Sequence, residues 1–308
     1  MKILFMGTPD IAAVSLRKLL DNKMEIVGVV TQPDKPRGRK QILTPPEVKV
    51  LATEENIPVY QPESLKNGEL QDVLDLLEPD LIAVVAYGKI LPKYVLDYPE
   101  YGCINMHGSV LPKYRGAAPI QWSVINGEKF AGVTTQRMNE GVDTGDILIS
   151  KSIEIGEYET SAELFERIAV LGAEALSETI LNIDKITPVP QDESQATHAP
   201  MISKEMAKID WSKPARVVSK LICGMNSWPI AHTLYNGEVM KVYDAVVSAD
   251  EPKAECGEIV GYEKKSGLKI KCGEGCIIIR ELQFPGSKRM SVDDYLKGHS
   301  LENGIVLE

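Results

Sequence analysis

Near-continuous apolar runs constrain the fold of this chain most. They are Lys2–Met6 (K-I-L-F-M), Glu25–Thr31 (E-I-V-G-V-V-T), Leu81–Ala86 (L-I-A-V-V-A) and the short Cys103–Asn105 (C-I-N). Strands apolar on both faces must be covered on both faces, which requires a mostly parallel sheet with helices in the crossovers. Ile11, Val14, Leu16, Leu19 and Leu20 predict such a helix after the first run. Gly132–Gln136 is read as a further strand. Thr160 and Glu163 then form a capping-box pattern, followed by an apolar face of Phe165, Ile168, Ala169, Gly172 and Leu176 that fades near Asp184. The expectation is an α/β fold with a Rossmann-like, mostly parallel sheet.

The character changes after residue 188. The stretch 189–206 is rich in proline and polar residues and reads as a linker. Ser212 and Pro214 mark the start of a short helix running to about Met225. Thr233–Tyr235 and Val239–Val247 flank Asn236-Gly237, the strongest short hairpin signal. Gly257–Tyr262, Leu268–Lys271 and Cys276–Phe284 complete a run of short strands, which predicts a small antiparallel β-barrel of OB-like type. The expected organisation is therefore 1–188, a linker over 189–206, and a β-barrel domain over 207–308.

Composition removes several function classes. No apolar run approaches the roughly 20 residues of a membrane span, and the N-terminus enters a strand without a signal-peptide pattern. Five scattered cysteines argue against a disulfide framework and fit a reducing cytoplasm. Cys272 and Cys276 flank G-E-G, but no second pair follows, and Cys256 and His299 are poorly spaced for one. A hairpin is the expectation there, with no metal site. The net charge of −10 is uneven: residues 207–308 hold 14 Lys and Arg against 14 Asp and Glu, leaving the excess acid in the rest. Any contact with nucleic acid must therefore come from local basic patches.

One such patch lies in Q-P-D-K-P-R-G-R-K, where Lys35, Arg37, Arg39 and Lys40 gather four positive charges within six residues. It is either a solvated loop or a guide for a polyanion. The first βα turn, Gly7-Thr8-Pro9-Asp10, lacks the dinucleotide glycine pattern, and Pro9 removes an N–H that a phosphate would use. Asn105 and His107 stand two apart at the end of a strand, so in extended backbone they share a face. An amide donor thus sits beside a group that moves protons, where open α/β sheets bind ligands. Gly141-Val142-Asp143-Thr144-Gly145-Asp146 has three readings: a turn, a divalent metal site, or a carboxylate that reaches His107 to orient it and favour its charged form.

Together, G-T-P-D at 7–10, T-Q-P-D at 31–34, V-V-A-Y-G at 84–88, C-I-N-M-H-G-S at 103–109, L-P-K-Y-R-G-A-A-P-I-Q at 111–121, D-T-G-D at 143–146 and I-D-W-S at 209–212 resemble the methionyl-tRNA formyltransferase family of the folate-dependent formyltransferases. The likeness covers essentially the whole chain. It implies transfer of a formyl group from 10-formyltetrahydrofolate to the α-amino group of methionyl-initiator tRNA, in the cytoplasm, by a monomer that needs no metal. The family's catalytic residues fall on Asn105, His107 and Asp143. Its folate-binding loop falls on Ser109, Val110, Leu111 and Pro112, with Val110 a mild departure from the usual Leu. Its tRNA-contacting loop falls on 34–46, with Arg39 the key arginine and Lys35, Arg37 and Lys40 around it. The resemblance also makes the 207–308 domain a tRNA contact. The rivals are formyltransferases acting on a sugar-nucleotide amine or on glycinamide ribonucleotide, and a non-catalytic tRNA-binding protein.

Overall fold

The computed structural model describes residues 1–38 and 41–308. In chain order the elements are β1 (Lys2–Gly7), α1 (Asp10–Asp21), β2 (Glu25–Val30), β3 (Lys35–Arg37), β4 (Ile42–Thr44), α2 (Glu47–Glu54), β5 (Val59–Tyr60), α3 (Gln71–Leu77), β6 (Leu81–Val85), α4 (Lys93–Leu96), β7 (Cys103–His107) and β8 (Arg115–Gly116). They continue as α5 (Pro119–Ile125), β9 (Phe130–Arg137), β10 (Asp146–Glu154), α6 (Ser161–Leu181), β11 (His198–Ala199), α7 (Ala215–Gly224), β12 (His232–Tyr235), β13 (Glu238–Ser248), β14 (Ile259–Glu263), β15 (Gly267–Lys271), β16 (Cys276–Gln283), β17 (Met290–Ser291) and α8 (Val292–Tyr295).

The chain divides into two compact units. The first comprises Met1–Gly116, Ala131–Ile153 and Glu166–Ala199. Its seven-stranded sheet has the order β10-β9-β7-β6-β1-β2-β5. β1 pairs in parallel with both β2 and β6, β6 with β7 and β2 with β5, while β9 runs antiparallel to β7. The β1–β2 and β6–β7 connections run to opposite sides of β1, so the sheet has a switch point where a crevice opens at the strand ends. All five residues of β6 are buried, as its unbroken apolar sequence requires. Leu4, Met6, Ile82, Val84, Leu74 and Tyr87 belong to the core on one face. On α1, Ile11, Ala12, Ser15, Leu16 and Leu19 are buried. Val14, expected on that face, is exposed instead.

The expected capping box of α6 is present. Glu163 N–H donates to Thr160 Oγ1 (3.2 Å), and Thr160 N–H donates back to Glu163 Oε2 (2.9 Å). The Thr160 N–H and the Thr160 hydroxyl, which donates to Glu163 Oε2 at 2.7 Å, hold the Glu163 carboxyl below its ordinary range. A Cβ on Gly172 would stand 2.6 Å from Met106 Sδ. The glycine thus lets α6 approach β7, the strand that carries Asn105 and His107.

The second unit comprises Ala117–Phe130, Glu154–Phe165 and Pro200–Glu308. Its antiparallel sheet has the order β12-β13-β16-β15-β14, with β17 on β16. Register shifts in β13 around Asp244 and in β14 after Ile259 bend these strands, as a sheet curled around a small core requires. Asn236 and Gly237 both have positive φ (51° and 81°) in the β12–β13 turn, the signature of a type I′ hairpin. Trp211, from I-D-W-S, is buried and donates from Nε1 to Thr233 Oγ1 at 2.9 Å. Cys272 and Cys276 are fully buried around the β15–β16 hairpin.

Two boundaries differ from the sequence reading. Ala118, Trp122 and Ile125, in and around α5, join the core formed with α7 and the antiparallel sheet, so an early segment groups with late residues. Residues 189–199 form packed structure where a free linker was expected. Val189 bridges Ile147, Asp192 caps a 3₁₀ turn at Glu193–Gln195, and β11 pairs with β8. The polar side chains responsible for the linker reading have internal partners, which composition alone does not reveal.

Candidate active site

Asn105 and His107 lie on β7, opposite Gln136 and Thr134 of β9 respectively. The period-two geometry of the strand brings both side chains to one face. His107 is 7% exposed. Its Nε2 lies 2.9 Å from the Tyr114 carbonyl oxygen, which can only accept, so Nε2 carries hydrogen. Its Nδ1 lies 3.5 Å from Asp143 Oδ1. Asn105 Nδ2 stands 3.5 Å from the same oxygen. The amide and the imidazole therefore converge on one point in space, and an oxygen occupies it.

Asp143 is held there mainly by others. Gln136 Nε2 donates to its Oδ1 (3.0 Å), and the Gly116 N–H donates to its Oδ2 (2.9 Å). Gln136 Oε1 accepts from the Gly145 N–H (3.0 Å), so this amide clamps both ends of the Asp143–Gly145 turn. Asp143 itself has φ of 53°, a left-handed conformation that Asp tolerates better than most residues. A Cβ on Gly145 would lie 1.9 Å from the Arg137 carbonyl oxygen, so only glycine fits there. The turn reading of 141–146 and the carboxylate reading thus both describe the same segment. Among the described residues, no three or more His, Cys, Asp or Glu are placed to hold a metal ion.

The loop after β7 turns back beside this set. Ser109 Oγ donates to the Lys113 carbonyl (2.6 Å), Thr134 Oγ1 donates to the Ser109 carbonyl (2.8 Å), and Leu111 N–H donates to Thr134 Oγ1 (3.0 Å). Ser109 and Leu111 are buried, Pro112 is half-buried and Val110 is 40% exposed. The polar groups of this loop are thus spent on its own shape, and Val110 is the side chain it offers outward.

The basic segment begins at the same end of the sheet. Gln32 donates from Nε2 to the Tyr87 carbonyl (2.9 Å), which also accepts from Thr8 Oγ1 (3.1 Å). The ends of β1, β2 and β6 are tied together in this way. Gln61 and Lys49 hydrogen-bond Asp34 and hold its carboxyl below its ordinary range. Lys35–Arg37 and Ile42–Thr44, expected as parts of a loop, pair antiparallel as β3 and β4, Lys35 with Thr44 and Arg37 with Ile42. Lys35 is exposed and donates to Gln32 Oε1 (2.8 Å). Arg39 and Lys40 lie outside the described residues.

Sequence reasoning missed Gln136 and Gln191. The first carried a signal: it is a polar residue at the end of a strand otherwise apolar or threonine-rich, and it proves 1% exposed.

A mostly parallel α/β sheet with an amide, an imidazole and a carboxylate at its strand ends hosts many chemistries, and comparison with known families specifies a group-transfer enzyme. Residues 1–180 match the formyl transferase family and residues 201–300 its C-terminal domain. The chain belongs to the formyl transferase family. It is 47% identical to the methionyl-tRNA formyltransferase of Alkaliphilus oremlandii, covering 100% of this chain and 99% of that one. Two solved structures share the fold. An N-formyltransferase from Helicobacter canadensis, in complex with folinic acid and dTDP-3-aminofucose, superposes with a TM-score of 0.67 at 19% identity, covering 91% of this chain and 98% of that one. HypX from Aquifex aeolicus, in complex with tetrahydrofolic acid, gives 0.61 at 18% identity, covering 96% of this chain and 47% of that longer one.

Proposed function

We propose that this chain transfers the formyl group of 10-formyltetrahydrofolate to the α-amino group of methionyl-initiator tRNA. The observation that carries the reading is full-length identity of 47% to a methionyl-tRNA formyltransferase, together with the convergence of Asn105 Nδ2 and His107 Nδ1 on one oxygen position.

The reaction is acyl transfer. A bond forms between the amine nitrogen and the formyl carbon, the bond from that carbon to the folate nitrogen breaks, the amine loses a proton and the folate nitrogen gains one. The folate supplies an already activated formyl carbon. The residues present fit that chemistry: an amide donor and a buried imidazole share one strand face, both 3.5 Å from the Asp143 carboxylate, and the following loop exposes the apolar Val110. Asn105 Nδ2 and the His107 imidazole donate to the oxygen on which charge develops, and each such donor is worth on the order of 10²–10³ in rate. Asp143 Oδ1, 3.5 Å from Nδ1, orients the ring electrostatically while leaving that nitrogen for the substrate oxygen. The long 3.5 Å contacts leave both donors able to turn to a substrate oxygen, since such bonds tighten as the reacting complex forms. Ser109, Val110, Leu111 and Pro112 form the folate loop, chiefly through Val110 and the loop's shape.

Lys35, Arg37, Arg39 and Lys40 engage the tRNA, with Arg39 the principal contact. In this division of labour the unit with the parallel sheet carries the chemistry and 207–308 add a tRNA surface. The protein acts as a cytoplasmic monomer. Its five cysteines are free and four are buried, which suits a reducing compartment. No helix among the described residues is long and apolar enough to cross a membrane.

The direct test is incubation with 10-formyltetrahydrofolate and methionyl-initiator tRNA, with uncharged tRNA and a free amine as controls. Formyl transfer to the charged tRNA is expected, and its absence sinks the reading. Equal transfer to a sugar-nucleotide amine would favour that rival. Arg39→Ala should weaken use of charged tRNA more than folate binding, and tRNA affinity should fall as salt rises.

A further inference from the structure

Arg115 is 4% exposed, yet it is a guanidinium with five donors to satisfy. Its partners lie on the 189–199 segment. Nη1 and Nη2 donate to the two carboxylate oxygens of Glu193 (2.9 and 2.7 Å), and Nε and Nη2 donate to Gln191 Oε1 (3.0 and 2.8 Å). Because a guanidinium only donates, the Gln191 amide can point only one way, with its oxygen toward Arg115. Its Nε2 then faces the Asp143 turn and donates to the carbonyls of Asp143 (2.9 Å) and Gly145 (2.7 Å). Every hydrogen-bonding group of that amide is used. The next residue after Arg115 is Gly116, whose N–H holds Asp143 Oδ2. The β8–β11 pairing fixes Arg115 and Gly116 against His198 and Ala199.

We propose that Gln191, locked by Arg115, is a positioning residue for Asp143. It holds the left-handed Asp143 backbone so that the carboxylate stays within reach of His107. The packed 189–199 segment then serves the chemistry as a strap across the catalytic turn. This rests on the reading of Asn105, His107 and Asp143 as the reacting set.

Gln191→Glu separates positioning from mere packing. A carboxylate keeps both bonds from Arg115 and adds an opposite charge beside it, but it replaces two N–H donors with oxygens facing two carbonyl oxygens. A purely structural role predicts a lowered urea midpoint with kcat per folded molecule unchanged. A positioning role predicts that, under conditions where the variant is fully folded, kcat for formylation of methionyl-tRNA is lowered roughly 10- to 100-fold, the scale of a small misplacement of a reacting group. KM for 10-formyltetrahydrofolate should stay within about twofold, since the folate loop is untouched. Gln191→Met, which deletes the amide with little change in length, should lower kcat on the same scale. Neither substitution should cost further rate in an Asp143→Asn background, because residues that act as a unit are not additive. Wild-type kcat in both Gln191 variants overturns the proposal, as does a further loss in the Asp143→Asn background. Wild-type turnover in Asp143→Asn alone defeats the reading of the reacting set, and that single variant tells the two failures apart.

Discussion

Gln136 donates to Asp143 Oδ1 at 3.0 Å, a shorter contact than the 3.5 Å between that oxygen and either Asn105 or His107. The carboxylate is therefore placed by its supports, and Asn105 and His107, the residues proposed to react, meet it loosely. A site built this way keeps its donors free for a substrate oxygen while holding the group that orients them.

Removing Gln136 should cost stability as well as rate. Gln136→Leu leaves the buried Gly145 N–H without its acceptor, and an unpaired buried amide costs about 1–3 kcal/mol. A shift of the urea midpoint of that size, with reduced turnover, is expected. An unchanged midpoint would show that the Gly145 amide finds another partner.

Asn105→Ala and His107→Ala should each reduce kcat on the order of 10²–10³, the loss typical of one donor to a developing oxyanion. Folate binding should be largely retained. Single-turnover formylation and equilibrium folate binding, measured on the same preparations, separate the two effects.

Gly145→Ala tests the catalytic turn from the backbone side. Its Cβ would meet the Arg137 carbonyl at 1.9 Å, and that atom is backbone. The turn must shift, at about 1–3 kcal/mol for an overpacked site. Because Asp143 moves with it, turnover should fall further than the stability change alone implies. Thermal unfolding and kcat together check this.

The cysteines should differ sharply in reactivity. Burial pushes the Cys103 and Cys272 thiols up to about 12 and Cys223 up to about 11, whereas Cys256 is exposed. Iodoacetamide at pH 8 should label Cys256 in the native protein and all five cysteines after denaturation, as read by mass spectrometry. The raised values also set an alkaline limit. Between about 9, where an unfolded thiol ionises, and about 12, the unfolded state binds fewer protons, so stability falls as pH rises.

The sequence by itself determined the local elements and the pairing of an amide with an imidazole on one strand face. Apolar runs such as Leu81–Val85 became buried strands, Thr160 and Glu163 capped α6, and Asn236-Gly237 turned the β12–β13 hairpin. Asn105 and His107 share a face because their spacing matches the strand period. Each of these depends on neighbours within a few residues, so periodicity and turn chemistry suffice to read them. Tertiary structure decided the rest. It chose among the readings of the Asp143 segment by pairing β7 with β9, which brings Gln136 and then Asp143 to the face of His107. It also turned 189–199 from an apparent linker into a strap, because Gln191 and Glu193 meet a buried Arg115 that lies 76 and 78 residues earlier. A polar side chain looks solvated in sequence whenever its partner is distant, since charge and amide groups carry no mark of the contact that will bury them.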